Sequence, residues 1–176
     1  MAKLNPQRLI FGLFLIVVIV VAEVLFGALK LHGWLWPAFI VMIFFFEAHM
    51  DIKKAPNIIV GGLFGLFGIL IAKYVFVVPL APTLGEALPR LIFIVVFVYA
   101  IVAFGEMLPI LFNNYAFMNV LVTAIAIKQK ELPNSNPDVS ILIWMGVELV
   151  VGVTFIYAIL GIIKILGAMA KRKAAK

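Results

Sequence analysis

The sequence predicts an all-α integral membrane protein with about six transmembrane helices, and three observations carry this prediction. First, 66% of the 176 residues are hydrophobic and 12% are charged, whereas soluble domains are typically about 45–50% apolar and about 25% charged. Second, the apolar residues form runs near the length of about 20 residues that a crossing helix needs. Third, prolines and charged residues separate these runs. The length suits one domain over residues 1–176.

The first three predicted spans occupy residues 8–79. The run over 9–29 is too long for the apolar part of a typical signal peptide, so we interpret it as a spanning helix. The second span covers about 33–50 and begins with tryptophans, which favour the membrane interface. The third covers about 58–78, and its first turns carry glycines that allow close approach of another helix. The glycines predicted to pack are Gly61, Gly65 and Gly68.

The second three predicted spans occupy residues 90–168. The proline-containing segment 79–90 is predicted to be the loop at the midpoint of the chain. The fourth span covers about 91–112 and the sixth about 141–166. The fifth, about 116–127, is unusually short. It is either a complete crossing or a re-entrant half-helix whose backbone is buried in protein or lines water.

The positive charges predict the orientation of a six-span chain. One side of the membrane then holds both termini and eight lysines or arginines: Lys3, Arg8, Lys53, Lys54, Lys171, Arg172, Lys173 and Lys176. The other side holds four: Lys30, Arg90, Lys128 and Lys130. Cytoplasmic loops carry the excess of positive charge in membrane proteins. We therefore expect a bacterial inner (plasma) membrane protein with both termini in the cytoplasm.

The two halves predict a 3+3 inverted repeat. Three spans on each side of the midpoint give the halves opposite orientations, as in many transporters. A shift of 83 residues aligns Glu23 with Glu106, and it aligns the third span with the sixth. Few other identities support the alignment, and the shift places Gly65 against Glu148.

Carboxylates and amides within the apolar runs are the candidate functional groups. Ionisable side chains at membrane depth are costly, and they commonly mark pathways for ions or solutes. The predicted pathway residues are Glu23, Glu47, His49, Glu106, Asn113, Asn114 and Glu148. Each also has a structural alternative. The carboxyl groups can bond to a neighbouring helix or reach the interface, and the paired amides can form a turn.

Several kinds of site are excluded by composition. The chain has no cysteine and two histidines, which do not have the spacing of metal ligands. It contains no hydrolase triad and no phosphate-binding glycine loop. We therefore predict no enzyme activity, no metal and no cofactor. The net charge of +6 reflects basic residues at helix ends and does not indicate nucleic-acid binding.

The layout resembles a bacterial inner-membrane family known as domain-of-unknown-function family 1097. The resemblance is carried by the sequence Trp-Leu-Trp-Pro-Ala-Phe-Ile at 34–40, the short helix ending at Glu47, the polar link after it and Gly-Gly-Leu-Phe-Gly at 61–65. The spacing over 103–114 and the short fifth span also agree. The segment Glu-Ala-His-Met-Asp at 47–51 departs from the pattern. The resemblance implies a small multi-span membrane protein, and it assigns no functional residues.

We expect a channel or transporter for a small polar solute or cation in the lipid bilayer. A chain of this size has little room for a wide internal pore. We therefore expect a homo-oligomer, packed through the face of Gly61 and Gly65, or a narrow path within each subunit. The alternative is a non-transporting accessory subunit whose glycines and carboxylates contact another membrane protein. A third possibility is lipid binding through the basic rim.

Overall fold

The computed structural model describes residues 6–31, 33–129 and 132–174, and these residues form helices and turns without strands. The helices are α1 (Pro6–Ala28), α2 (Trp36–Glu47), α3 (Ile52–Leu84), α4 (Ala87–Phe104), α5 (Asn114–Gln129) and α6 (137–174). Four of them, α1, α3, α4 and α6, are long and apolar enough to cross a membrane. The all-helical class is therefore confirmed. Lys3, Lys130 and Lys176 of the charge count lie outside the described residues.

Helices α2 and α5 are the short elements. They contain 12 and 16 residues, which corresponds to about 18 Å and about 24 Å of helix. The hydrocarbon core of a bilayer is about 30 Å thick. Pro37 stands in the first turn of α2, where its missing N–H costs little. Both helices are thus regular but shorter than a typical crossing.

Helix α3 extends past the predicted end of the third span. A π-helical segment, Ala72–Val77, joins the α-helical part Ala55–Ile71 to Val78–Leu84. Within it, the N–H of Val78 bonds to the carbonyl of Lys73, five residues back. Pro79 then opens the last α-helical segment, so the prolines continue the helix instead of ending it. The prediction of a loop over 79–90 is wrong for most of its length, because only Gly85 and Glu86 separate α3 from α4.

Helix α4 ends at Phe104, eight residues before the predicted end of the fourth span at 112. Residues 105–113 instead form consecutive turns. Gly105 weakens the helix, and Pro109 disfavours the helical conformation at Leu108. A Cβ added at Gly105 would lie 3.2 Å from the carbonyl oxygen of Phe112, so the segment folds back on itself. The prediction that Glu106 lies within a helical span is therefore wrong.

The long helices α3 and α6 form the centre of the bundle and run antiparallel. Lys73 bonds to Asp138 near one end of the pair, and Gly62 meets Glu148 nearer the other. Each central helix carries one short helix and one long helix on its outer side. Helices α4 and α5 pack on α3, whereas α1 and α2 pack on α6.

The six helices alternate in direction. Aromatic rings near the start of α1 and the end of α2 meet, so these helices are antiparallel. Helix α5 runs parallel to α3, since Gly65 meets Ala116 and Gly68 meets Val120. The start of α1 and the end of α6 consequently lie at the same end of the bundle, which we call the terminal end. The opposite end, where α6 begins, is the distal end.

The salt bridge between α3 and α6 at the distal end gives a first testable prediction. The ammonium of Lys73 lies 2.6 Å from a carboxylate oxygen of Asp138, which also accepts a hydrogen bond from Tyr74. We expect Asp138→Asn to lower the free energy of unfolding by about 0.5–1 kcal/mol, because Lys73 is partly exposed and its charge is screened. Chemical unfolding in mixed micelles measures the change.

The matched control is Glu86→Gln. It removes the more exposed pair between Glu86 and Arg90 at the same end, and we expect no measurable change in stability. Equal effects of the two substitutions would show that the bond between α3 and α6 has no special stabilising role.

Candidate functional site

The glycine face of α3 brings α5 into close contact. A Cβ added at Gly65 would overlap the carbonyl oxygen of Ala116, and one at Gly68 would lie 3.1 Å from Val120 Cγ2. A Cβ at Gly61 would overlap the side-chain amide of Asn113. Close packing of these glycines within the chain agrees with their predicted role. The prediction that this face joins subunits is wrong, because α5 of the same chain covers it.

Glu148 of α6 and Asn119 of α5 meet at Gly62 of α3. A Cβ added at Gly62 would overlap Oε1 of Glu148 and would lie 2.9 Å from Nδ2 of Asn119. Both side chains are fully buried. Among the described residues, neither carboxyl oxygen of Glu148 has a hydrogen-bond partner, and neither does Oδ1 of Asn119. Most buried polar atoms in proteins are paired, so three unpaired oxygens on two neighbouring side chains make this the candidate functional site.

Local structure holds the two polar side chains in place. Glu148 begins a π-helical segment, Glu148–Gly152, and π-helical turns within α-helices frequently occur at functional sites. The side-chain nitrogen of Asn119 donates to the carbonyl of Tyr115 at 3.1 Å. The buried hydroxyl of Thr123 donates to the carbonyl of Asn119 at 2.6 Å. These bonds to the α5 backbone leave the oxygen of the Asn119 amide and one of its two N–H groups without a partner among the described residues.

A cleft at the terminal end lies next to this site; we call it the Asn113 cleft. It has a volume of about 480 Å³, and its polar lining includes Glu47, Lys54, Asn57, Asn113, Asn114 and Tyr115. Asn113 caps α5 by accepting a bond from the N–H of Ala116, and its amide nitrogen donates to the carbonyl of Asn57. Asn113 also lies against Gly61, which precedes Gly62 in α3.

A second, smaller cleft opens at the distal end; we call it the Glu23 cleft. It has a volume of about 220 Å³ and lies between the end of α1 and the start of α2, with Glu23, Gly33 and Trp36 among its lining residues. The rings of Trp36 and Trp144 pack edge to face, with centroids 5.2 Å apart. Trp144 donates its indole N–H to the carbonyl of Gly33 at 3.0 Å.

The tryptophan pair separates the Glu23 cleft from the buried carboxyl. Trp144 precedes Glu148 by four residues in α6, which is about one helical turn. The order along the bundle is therefore Glu23 cleft, tryptophan pair, buried Glu148 and Asn119, and then Asn113 cleft. Glu148 and Asn119 have no exposed surface, so neither cleft is open to these two side chains.

The residues predicted for the pathway fall into three groups. Glu47, Asn113 and Asn114 line the Asn113 cleft, and Glu23 lines the Glu23 cleft at the opposite end. Glu148 is buried between the two clefts.

The remaining two predicted residues line neither cleft. Glu106 is exposed among the turns after α4, and His49 is exposed in the turn after α2.

Sequence reasoning missed the importance of Gly62 and underestimated Asn119. Gly62 stands beside Gly61 but faces a different neighbour, and only the placement of α6 reveals this. Asn119 is absent from the predicted pathway residues, yet it lies inside α5 and is fully buried. An asparagine in the middle of a short apolar helix was the available signal, because its cost within a membrane has to be offset.

Comparisons with known proteins add no assignment: no protein-family model matches the sequence, and no curated protein or solved structure shows significant similarity to it.

Proposed function

We propose that the protein is a membrane channel or transporter for a small polar solute or cation, with Glu148 and Asn119 at the centre of its path. The observation that carries this proposal is the position of an unpaired buried carboxyl group and an unpaired amide oxygen between two clefts at opposite ends of the bundle. A structural role alone would favour an apolar pair here, because unpaired buried polar groups destabilise a fold.

An inverted 3+3 repeat accounts for the arrangement of the helices. Each half contains a long, a short and a long helix. The short helix of each half packs on the last helix of the other half: α2 packs on α6, and α5 packs on α3. The first helix of each half does the same, since α1 packs on α6 and α4 packs on α3. The Glu23 cleft is formed by the end of α1 and the start of α2, and the Asn113 cleft involves the end of α4 and the start of α5. These correspondences support a two-fold axis in the membrane plane.

Six crossings fit the proposed path better than four. Both ends of α2 and the start of α5 line the clefts, so these ends face cleft walls rather than lipid, and the short helices need less length to cross. Non-helical backbone at membrane depth is tolerated where it lines a water-filled cavity. The turns over 105–113 meet this condition at the Asn113 cleft.

Passage of a solute requires both closures to open. At the distal side, Trp36 and Trp144 have to separate. At the terminal side, Asn113 has to release the carbonyl of Asn57. Opening at the two sides in turn gives a transporter, and simultaneous opening gives a channel. We favour the transporter, because two separate closures and a repeated architecture are typical of alternating access.

The positive charges support a cytoplasmic position of the terminal end in the proposed arrangement. Lys53, Lys54, Lys171 and Arg172 belong to that end, whereas Lys30, Arg90 and Lys128 belong to the distal end. The excess at the terminal end agrees with the positive-inside rule. A bacterial inner membrane is the proposed location.

Single-cysteine labelling tests the six crossings, and the cysteine-free chain needs no background substitutions. We expect Glu86→Cys and Ser135→Cys to react with an impermeant thiol reagent from the outside of intact cells. We expect Lys53→Cys to react only after the cells are opened. Labelling of Ser135→Cys only in opened cells would contradict a complete crossing by α5.

Flux through proteoliposomes tests the function. We expect purified protein to increase the uptake of Na⁺, K⁺ or a small neutral solute such as urea above that of empty liposomes. Glu148→Gln should reduce this uptake at least about tenfold, because loss of one ionic ligand is worth more than a neutral hydrogen bond. The surface variant Glu86→Gln serves as the matched control and should retain full flux.

Uptake equal to that of empty liposomes for every probe would contradict transport. It would favour the accessory-subunit alternative, in which the same glycines and carboxyl groups serve contacts between proteins.

A further inference from the structure

The Asn113 cleft is lined by one acidic and one basic side chain that are not bonded to each other. Glu47 ends α2, and Lys54 lies at the start of α3. Among the described residues, only Lys73 and Arg90 form salt bridges. No other described residue that lines this cleft carries a formal charge. The cleft therefore offers one negative and one positive charge to a ligand.

We propose that the Asn113 cleft binds a small zwitterion that carries a primary ammonium group, an anionic group and an apolar portion. An amino acid with an apolar side chain has this chemistry, and so does the head of phosphatidylethanolamine with the adjoining part of its chains. The inference deepens the proposed function, on which it rests for the role of the cleft as one end of the path.

Glu47 and two aromatic rings form the place for the ammonium group. Tyr115 donates its hydroxyl to one oxygen of the Glu47 carboxylate at 3.1 Å. A carboxylate has two oxygens, so the second can accept a hydrogen bond from an ammonium ion. The rings of Tyr115 and Phe44 lie with their centroids 4.9 Å apart, and Phe44 lies three residues before Glu47, on the same side of α2. Aromatic rings attract a neighbouring cation, so they favour an ammonium group at this carboxylate.

Lys54 provides the place for the anionic group. Its ammonium is a compact charge with three donors, which suits a carboxylate or a phosphate. Asn114 also lines the cleft, and its side-chain amide can donate to the same group. A ligand with only a positive charge would be repelled by Lys54, and one with only a negative charge would be repelled by Glu47. A zwitterion meets an opposite charge at each side chain.

The cleft has the size and the apolar lining of a ligand pocket. Its volume of about 480 Å³ lies within the range of about 300–1,000 Å³ that is typical of such pockets. The cleft at the distal end, at about 220 Å³, is smaller. Phe112, Phe117 and Met118 contribute apolar lining. The ring of Phe112 packs against those of Phe64 and Phe104, with centroids 5.4 and 5.5 Å away. This lining favours a zwitterion with an apolar portion over a wholly polar one.

Equilibrium binding of tritiated leucine to the purified full-length protein in phosphatidylcholine nanodiscs tests the inference without any measurement of transport. Phosphatidylcholine is chosen because its quaternary ammonium has no N–H to donate to Glu47. We expect saturable binding. Isoamylamine, which lacks the carboxylate of leucine, and isocaproate, which lacks its ammonium group, should each compete at least about tenfold less well than unlabelled leucine.

Two pairs of variants separate the two charges. Glu47→Gln and Lys54→Gln should each weaken leucine binding about tenfold. Glu86→Gln and Lys53→Gln should leave it unchanged, because neither residue lines the cleft. Glu47→Gln should lose the preference for leucine over isocaproate, and Lys54→Gln should lose the preference for leucine over isoamylamine. Loss of both preferences in either variant would contradict the assignment of one charge to each group of the ligand.

The lipid as the source of the zwitterion is tested by adding phosphatidylethanolamine to the nanodiscs. If the lipid head occupies the cleft, leucine binding should fall, and native mass spectrometry should show that the protein retains phosphatidylethanolamine in preference to phosphatidylcholine. Glu47→Gln should abolish that preference. Equal leucine binding in both kinds of nanodisc would identify a free amino acid as the ligand.

Three results overturn the inference. One is the absence of leucine binding together with equal retention of the two lipids. Another is equal binding of leucine, isoamylamine and isocaproate. The third is a loss of leucine binding in Lys53→Gln as large as the loss in Lys54→Gln.

The failure of this inference is distinct from failure of the proposed function. Flux of Na⁺, K⁺ or urea without binding of either zwitterion would refute the zwitterion site alone. Binding of leucine without flux of leucine or of any other probe would refute transport and leave the site in place.

Discussion

Replacement of Gly65 with alanine is expected to destabilise the protein more than any other single methyl addition in α3. The new Cβ would overlap the backbone carbonyl oxygen of Ala116 and would lie 2.7 Å from Cβ of Asn119. A backbone atom cannot rotate away as a side chain can, so α5 has to move as a unit. Overpacking typically costs about 1–3 kcal/mol, and we expect about 3 kcal/mol here because a whole helix is displaced.

Unfolding in mixed micelles measures this loss, and Gly161→Ala is the matched control. Gly161 also lies within a long helix, but a Cβ added there has no atom within 4 Å. Alanine is the better helix former by about 1 kcal/mol, so the control should be unchanged or slightly more stable. Equal losses in the two variants would refute the close approach of α5 to the glycine face.

Replacement of Glu148 with methionine is expected to stabilise the fold and abolish function. Methionine has a similar shape and no polar atoms, so it removes two unpaired buried oxygens. An unpaired buried polar group costs about 1–3 kcal/mol, and its replacement by an apolar group of the same shape removes this cost. We expect a gain of about 1–2 kcal/mol in the free energy of unfolding. Flux should fall to that of empty liposomes, because no carboxyl remains at Gly62.

A gain in stability with a loss of activity separates a functional carboxyl from a structural one. If Glu148 instead held the helices together through a bond to a neighbour, Glu148→Met would lower both stability and flux. The same unfolding assay and the same liposomes decide between these outcomes. Leu149→Met is the control for the added methionine, since Leu149 is exposed beside Glu148.

The sequence predicted the positions of those helices that coincide with one uninterrupted apolar run. The apolar runs near the start of the chain and after 141 agree with α1 and with most of α6. The sequence did not predict where α3 ends, because a proline usually ends or kinks a helix. The π-helical turn Ala72–Val77 leads into Val78–Leu84, where Pro79 stands in the first turn and Pro82 lies inside the segment. The early end of α4 was missed for the opposite reason, since apolar residues continue through turns that start at Gly105.

The candidate site was predictable in its chemistry but not in its location. Costly carboxylates within apolar segments singled out Glu23, Glu106 and Glu148 alike. The structure leaves Glu23 and Glu106 exposed and buries Glu148 completely. The difference depends on which face of each helix meets a partner. When apolar residues cover every side of a helix, the sequence of that helix does not predict which face packs against a neighbour.

The amino-acid sequence by itself determined that this protein is helical and suited to a membrane, because hydrophobicity and charge act residue by residue along the chain. It also indicated that polar groups at membrane depth need a bonding partner, a cavity or a functional role. Only the tertiary structure decided that the glycines of α3 receive α5 of the same chain, and that Glu148 and Asn119 converge on Gly62. The physical reason is that burial and hydrogen bonding of these groups depend on helices far apart in the sequence, which packing alone brings together.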